Sequence, residues 1–111
     1  MSKSLRQGLE DIRDCCVAIQ SYAARDPSVQ GMTFDAVCMR VVAIGEATTV
    51  LDEPTRARAP EVPWDAILSM RNHVAHGYFD TVHDIVRSTV HDDVPVLLAA
   101  VERLLADPTV A

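Results

Sequence analysis

From Leu5 the apolar positions fall at Leu5, Leu9, Ile12, Cys16, Ile19 and Ala23, in alternating steps of four and three. Residues so spaced share one face of an α-helix, so this stretch predicts a long amphipathic helix. Asp26-Pro27 ends it, because the residue before a proline is pushed out of the helical region. After Gly31-Met32 a second stripe runs Phe34, Val37, Val41, Ile44, Thr48, Leu51. Thr33 is a candidate N-cap for that helix, and Asp35 puts a negative charge at its positive end. Gly45 costs such a helix about 1 kcal/mol relative to alanine, which points to a packing reason. With Ala43 and Ala47 it offers a surface on which another backbone can come close.

Pro54 and Pro60 bracket a polar connection holding Arg56 and Arg58, read as a loop with room for one helical turn. Pro63 suits the first position of a third helix, with Asp65 at its positive end, Trp64 as a core anchor, and Ile67, Leu68 and Val74 on its apolar side. Gly77 supplies a C-terminal stop. Asp80 can cap a fourth helix carrying Val82, Ile85, Val86 and Thr89, and Asp92-Asp93-Val94-Pro95 marks a kink or restart before a segment lined by Leu97, Val101, Leu104 and Leu105. No stretch alternates with the period of a half-buried strand. The expected fold is all-α, an antiparallel four- to five-helix bundle over residues 1–111 with a dimer face. Its first two helices should be roughly 25 residues long, about 37 Å each.

Composition narrows the role. A chain of 111 residues, 49% hydrophobic and 23% charged, is sized for one domain. Ten Lys and Arg against sixteen Asp and Glu give a net charge of −6. The overall field therefore repels nucleic acid, and any RNA contact has to be local, with Arg71, Arg40, Arg56 and Arg58 as candidates. Neither a signal-peptide core nor a membrane-spanning apolar run is present, so a cytoplasmic protein without a membrane partner is expected. Three cysteines, two of them adjacent at Cys15 and Cys16, are an odd count inside apolar helical patterns and read as reduced, semi-buried thiols.

The chemistry concentrates between Arg71 and Asp84, where three of the four histidines lie. This is a helix end, a glycine stop and a helix start, a junction at which side chains leave the core. Arg71 and His76 are five residues apart, about 140° around an ideal helix, so they meet only if the helix unwinds near Gly77 or if a second chain brings its own pair across a two-fold axis. Asn72 and His76 share a face, and a hydrogen bond between them would orient the imidazole. Arginine can hold a phosphoryl oxyanion bidentately, and histidine can take a proton from a hydroxyl. RNA carries its own nucleophile: a 2′-hydroxyl deprotonated by His76 would attack the adjacent phosphate and leave a 2′,3′-cyclic phosphate and a 5′-hydroxyl without a metal. The general acid would be the second chain's His76. Plainer roles stand beside these. Arg71 can complement the helix dipole or pair with Glu46, His76 can bond a carbonyl, and Tyr78 can be a core ring. His83 and His91 suit solvated faces. A metal site from His73, His76, Asp80, His83 and Asp84 is disfavoured by the break at Gly77.

Arg71-Asn72-x-x-x-His76-x-Tyr78 resembles the Arg-x4-6-His signature of the HEPN superfamily, in the form carried by HepT-like ribonuclease toxins with their added tyrosine. The likeness runs through nearly the whole chain, at Leu9-Glu10-Asp11-Ile12, Ile44-Gly45-Glu46-Ala47, Pro60-Glu61-Val62-Pro63-Trp64, Met70-Arg71-Asn72, His76-Gly77-Tyr78-Phe79 and Asp93-Val94-Pro95. The resemblance implies a homodimeric helical bundle with a composite ribonuclease site at the dimer cleft. Arg71 and His76 would be catalytic there, with Asn72 and Tyr78 as auxiliary residues and no cofactor or metal. It also implies a toxin neutralised by a minimal nucleotidyltransferase antitoxin that transfers AMP from ATP onto Tyr78. Nucleotide phosphates two residues from His76 would put charge and bulk where an RNA phosphate binds. Other members resemble catalytically silent partners of nucleotidyltransferases that bind substrate or nucleotide, which leaves that role as the alternative.

Overall fold

The computed structural model describes residues 3–77 and 83–111. Its helices are α1 (Leu5–Arg25), α2 (Met32–Thr48), α3 (Glu53–Ala57), α4 (Trp64–His76), α5 (His83–Ser88) and α6 (Val94–Leu105), with a π-helical turn, Thr89–Asp93, joining α5 to α6. No strand occurs among the described residues. None of their helices is long and apolar enough to cross a membrane.

α1 begins with a reciprocal cap in which the Gln7 backbone N–H donates to Ser4 Oγ and the Ser4 N–H donates to Gln7 Oε1. It stops at Asp26, as the following proline demands. Its expected stripe is its buried face: Leu9, Ile12, Cys16 and Ile19 are inaccessible to solvent. Burial pushes the Cys16 thiol up to about 12 and that of Cys38, on α2, up to about 11, so both stay protonated and unreactive. α1 and α2 are 21 and 17 residues long, shorter than the roughly 25 expected. The pattern of α2 overran its helix because Leu51 is buried from a turn beyond the end, its N–H donating to Thr48 O.

Thr33 does not cap α2. Gly31, at φ 56°, is the N-cap, and the Gln30 and Gly31 carbonyls accept the first helical N–H groups. The turn before it also holds Val29 at φ 49°, a strained setting for a β-branched residue, sustained by complete burial of its side chain. Pro63 is the N-cap of α4 and not its first residue, and Trp64 anchors the start, its indole N–H donating to the Arg56 and Ala59 carbonyls at 3.1 and 3.2 Å.

The expected restart near Pro95 is the π turn. Val86, Val90, Val94, Leu97, Val101 and Leu104 are all buried, and the two successive steps of four at its start drift off one α-helical face. Opening one turn restores them: the Val94 N–H donates to Thr89 O, five residues back. In the resulting bundle α2 packs on both α1 and α4, and α1 also packs on α6. The Arg6 guanidinium ties the end of the chain to α1 through the Leu105, Asp107 and Val110 carbonyls.

Candidate active site

α4 carries Arg71, Asn72 and His76, and α2 decides where Arg71 sits. A Cβ built on Gly45 would lie 2.3 Å from Arg71 Cβ and 2.4 Å from its Cγ, so only glycine lets the arginine stem cross α2 at this point. The next residue, Glu46, takes the head. Arg71 Nε donates to Glu46 Oε1 at 3.1 Å, Nη2 pairs with the same oxygen, and Nη1 donates to Asn72 Oδ1 at 2.8 Å. The Arg71 side chain is 30% exposed and that of Glu46 56%, so the pinned guanidinium still faces water. Glu46 therefore has the anchoring role read for it, and the reason for a glycine inside α2 is the Arg71 stem.

α4 stays helical through His76, with Gly77 as its C-cap and the Gly77 N–H donating to His73 O at 2.8 Å. Unwinding before His76 does not occur. Arg71 faces α2, while His76 lies exposed about 140° around the same helix. Among the described residues Asn72 is bonded to Arg71 and not to His76. No hydrogen bond joins the guanidinium to the imidazole of the same chain among the described residues. Tyr78 and Asp80, the expected modification site and helix cap, lie outside the described residues.

His83 is exposed but not simply solvated: its ring stacks on Phe34 with centroids 3.9 Å apart and planes 19° apart. Arg87, one turn on, donates through Nε to Ser28 O at 2.7 Å, so two side chains fasten α5 to the first turn of α2 and to the connection before it. Sequence spacing carried no signal for either contact. Among the described residues no three His, Cys, Asp or Glu side chains gather as a metal site.

Of the other arginines proposed for RNA, Arg40 lines a groove of about 600 Å³ between α1 and α2 together with Glu46, and its guanidinium bonds the Tyr22 hydroxyl at 3.2 Å. Arg58 is paired with Asp107 at 2.9 Å. The hydroxyl and N–H of Thr109, with Arg58 behind them, pull the Asp107 carboxyl down to about 2. Arg56 lies beside Trp64 at the far end of α4. Arg40 is the one that shares a groove with the carboxylate holding Arg71.

The HepT-like ribonuclease family model matches residues 6–104. The chain is 29% identical over 108 residues, 94% of its own length and 98% of the relative's, to "Probable ribonuclease HepT" of Thermococcus cleftensis. It is 33% identical over 67 residues, 60% of this chain and 62% of the other, to "Putative RNase MJ1380" of Methanocaldococcus jannaschii. To "Putative RNase MJ0127" of the same organism it is 30% identical over 86 residues, 68% of this chain and 71% of the other. No solved structure matches the chain significantly. With a helical bundle that seats Arg71 on Gly45 and Glu46, and a family match covering all four long helices almost end to end, the chain belongs to the HepT-like ribonuclease family.

Proposed function

We propose that this chain is a metal-independent endoribonuclease, the toxin of a toxin–antitoxin pair, acting as a homodimer of one helical domain over residues 1–111. The observation that carries the reading is the placement of Arg71 and His76: both reach solvent from the last half of α4, and no hydrogen bond among the described residues joins one to the other. A second copy supplies the complement. His76 of one chain removes the 2′-hydroxyl proton, and the 2′-oxygen attacks the adjacent phosphorus. Arg71 of the other chain neutralises the non-bridging oxygens as charge builds on them, and the 5′-oxygen departs with a proton from the second His76. The new P–O2′ bond and the broken P–O5′ bond give a 2′,3′-cyclic phosphate and a 5′-hydroxyl. The nucleophile belongs to the substrate, so no metal-bound water is needed to supply one. Asn72 steadies the guanidinium.

Neutralisation in this reading is by a minimal nucleotidyltransferase, which moves AMP from ATP to the Tyr78 hydroxyl and releases pyrophosphate. The added phosphodiester carries negative charge into a cleft that must receive RNA. The test is incubation of the purified chain with RNA in EDTA and chemical analysis of the new ends. Cyclic phosphate and 5′-hydroxyl ends, lost in Arg71→Ala and His76→Ala, support the reading. An unreactive wild type favours the non-catalytic binding module, a role in keeping with an Arg71 whose three nitrogens already have partners.

A further inference from the structure

A second feature of α4 has no place in the mechanism above. Ala66, Ser69, Met70 and His73 on α4 and Ile85 on α5 line a groove of about 250 Å³, room for one planar ring system. We propose that this groove is the subsite that receives a nucleobase of the RNA next to the scissile phosphate. The proposal rests on the ribonuclease reading of His76.

Helix geometry supplies the alignment. Ser69 and His76 are seven residues apart, about 20° around the helix and about 10 Å along it, and His73 lies between them on the same side. The groove therefore leads along one face of α4 to His76, whereas Arg71 points the other way, into α2. A base held there keeps its own phosphate within reach of the imidazole at the helix end.

The lining selects the moiety. No lysine or arginine lines it, so it lacks a fixed positive charge for a phosphate, and a chain of net charge −6 gains little from the RNA backbone away from Arg71. A base has a neutral π-face and a polar edge. The Met70 thioether and the 46% exposed Ile85 give apolar walls, and the His73 ring is a surface on which a base can stack. The Ser69 hydroxyl and His73 imidazole have no hydrogen-bond partner among the described residues, which leaves both for a base edge.

Two measurements on the full chain test this. In cleavage of a randomised RNA pool with end sequencing, His73→Ala and Ile85→Glu should raise KM about tenfold with kcat changed less than about threefold, the scale of one lost base stack. Ser69→Ala should relax the base preference beside the cut, and His73→Phe, which keeps a ring, should restore KM but not the preference. Independently, a 2′-O-methylated tetranucleotide, which cannot be cleaved, should shift the NMR signals of the Met70 methyl and the His73 ring. Unchanged KM and base preference in all the variants, or oligonucleotide shifts confined to other residues, would overturn the subsite and leave the ribonuclease reading standing. Shifts at Met70 and His73 with no cleavage by wild type would retain the subsite and remove the catalytic reading. Variants that alter chain association and leave RNA handling alone would assign the groove to a protein contact and end the proposal.

Discussion

Gly45 and Arg71 occupy each other's space: the missing Cβ of one is filled by the Cβ and Cγ of the other. The contact joins α2 to α4 at the residue on which the proposed chemistry depends, and it turns a helix-weakening glycine into a positioning device. Gly45→Ala tests it. Alanine gains about 1 kcal/mol of helix propensity, yet at 2.3 Å the new methyl must push α4 away. Overpacking costs about 1–3 kcal/mol, so the expected net result is a loss of up to about 2 kcal/mol, read as a lower Tm, together with impaired cleavage. Gly8→Ala is the control, because its Cβ would meet the Val50 side chain at 3.2 Å and cost far less.

Glu46 separates anchoring from stability. The pair with Arg71 is solvent-exposed, so Glu46→Gln should cost under about 1 kcal/mol in denaturant unfolding. The guanidinium loses its fixed orientation in the same variant, and kcat/KM for RNA should fall by about tenfold or more, since small misplacements of a catalytic group are expensive. Equal stability with equal cleavage would show that Arg71 needs no anchor.

Acid should loosen the end of the chain. The Asp107 carboxyl is held at about 2 against an ordinary 3.8 by the Thr109 hydroxyl and N–H and by Arg58. A carboxyl whose folded value is depressed contributes stability above its unfolded value, and that contribution disappears as pH falls from about 4 toward 2. The Tm difference between wild type and Asp107→Asn should therefore be present at pH 6 and vanish near pH 2.

Modification has a separate readout. Mixed with the proposed nucleotidyltransferase partner and ATP, the chain should gain mass in AMP increments, and Tyr78→Phe should gain none. Label on any other residue would contradict the assignment of Tyr78.

Much of the bundle was legible because its signals are local. The stripe from Leu9 to Ile19 and that from Phe34 to Thr48 are the buried faces of α1 and α2, and Asp26-Pro27 and Gly77 mark real ends. What escaped is what depends on other elements. Thr33 looks like a cap until Gly31 takes the position, and Leu51 looks helical because a buried turn residue satisfies the same period. The positive φ of Val29 has no compositional signature. Within the site, Gly45 and Glu46 were readable as residues in need of a packing reason and a partner. The groove of Ser69, His73 and Ile85 exists only where α5 meets α4, a relation no run of residues encodes.

The central claim is that Arg71 and His76 act on one phosphodiester from two chains, and mixing tests it most directly. Arg71→Ala and His76→Ala should each be nearly inactive. Co-refolded in equal amounts they should cleave RNA faster than the sum of the two alone, though slower than wild type, because a mixed pair regains one arginine opposite the histidine that acts as base while water replaces the second His76 as proton donor. A mixture no more active than that sum, from variants shown to exchange subunits, would contradict it.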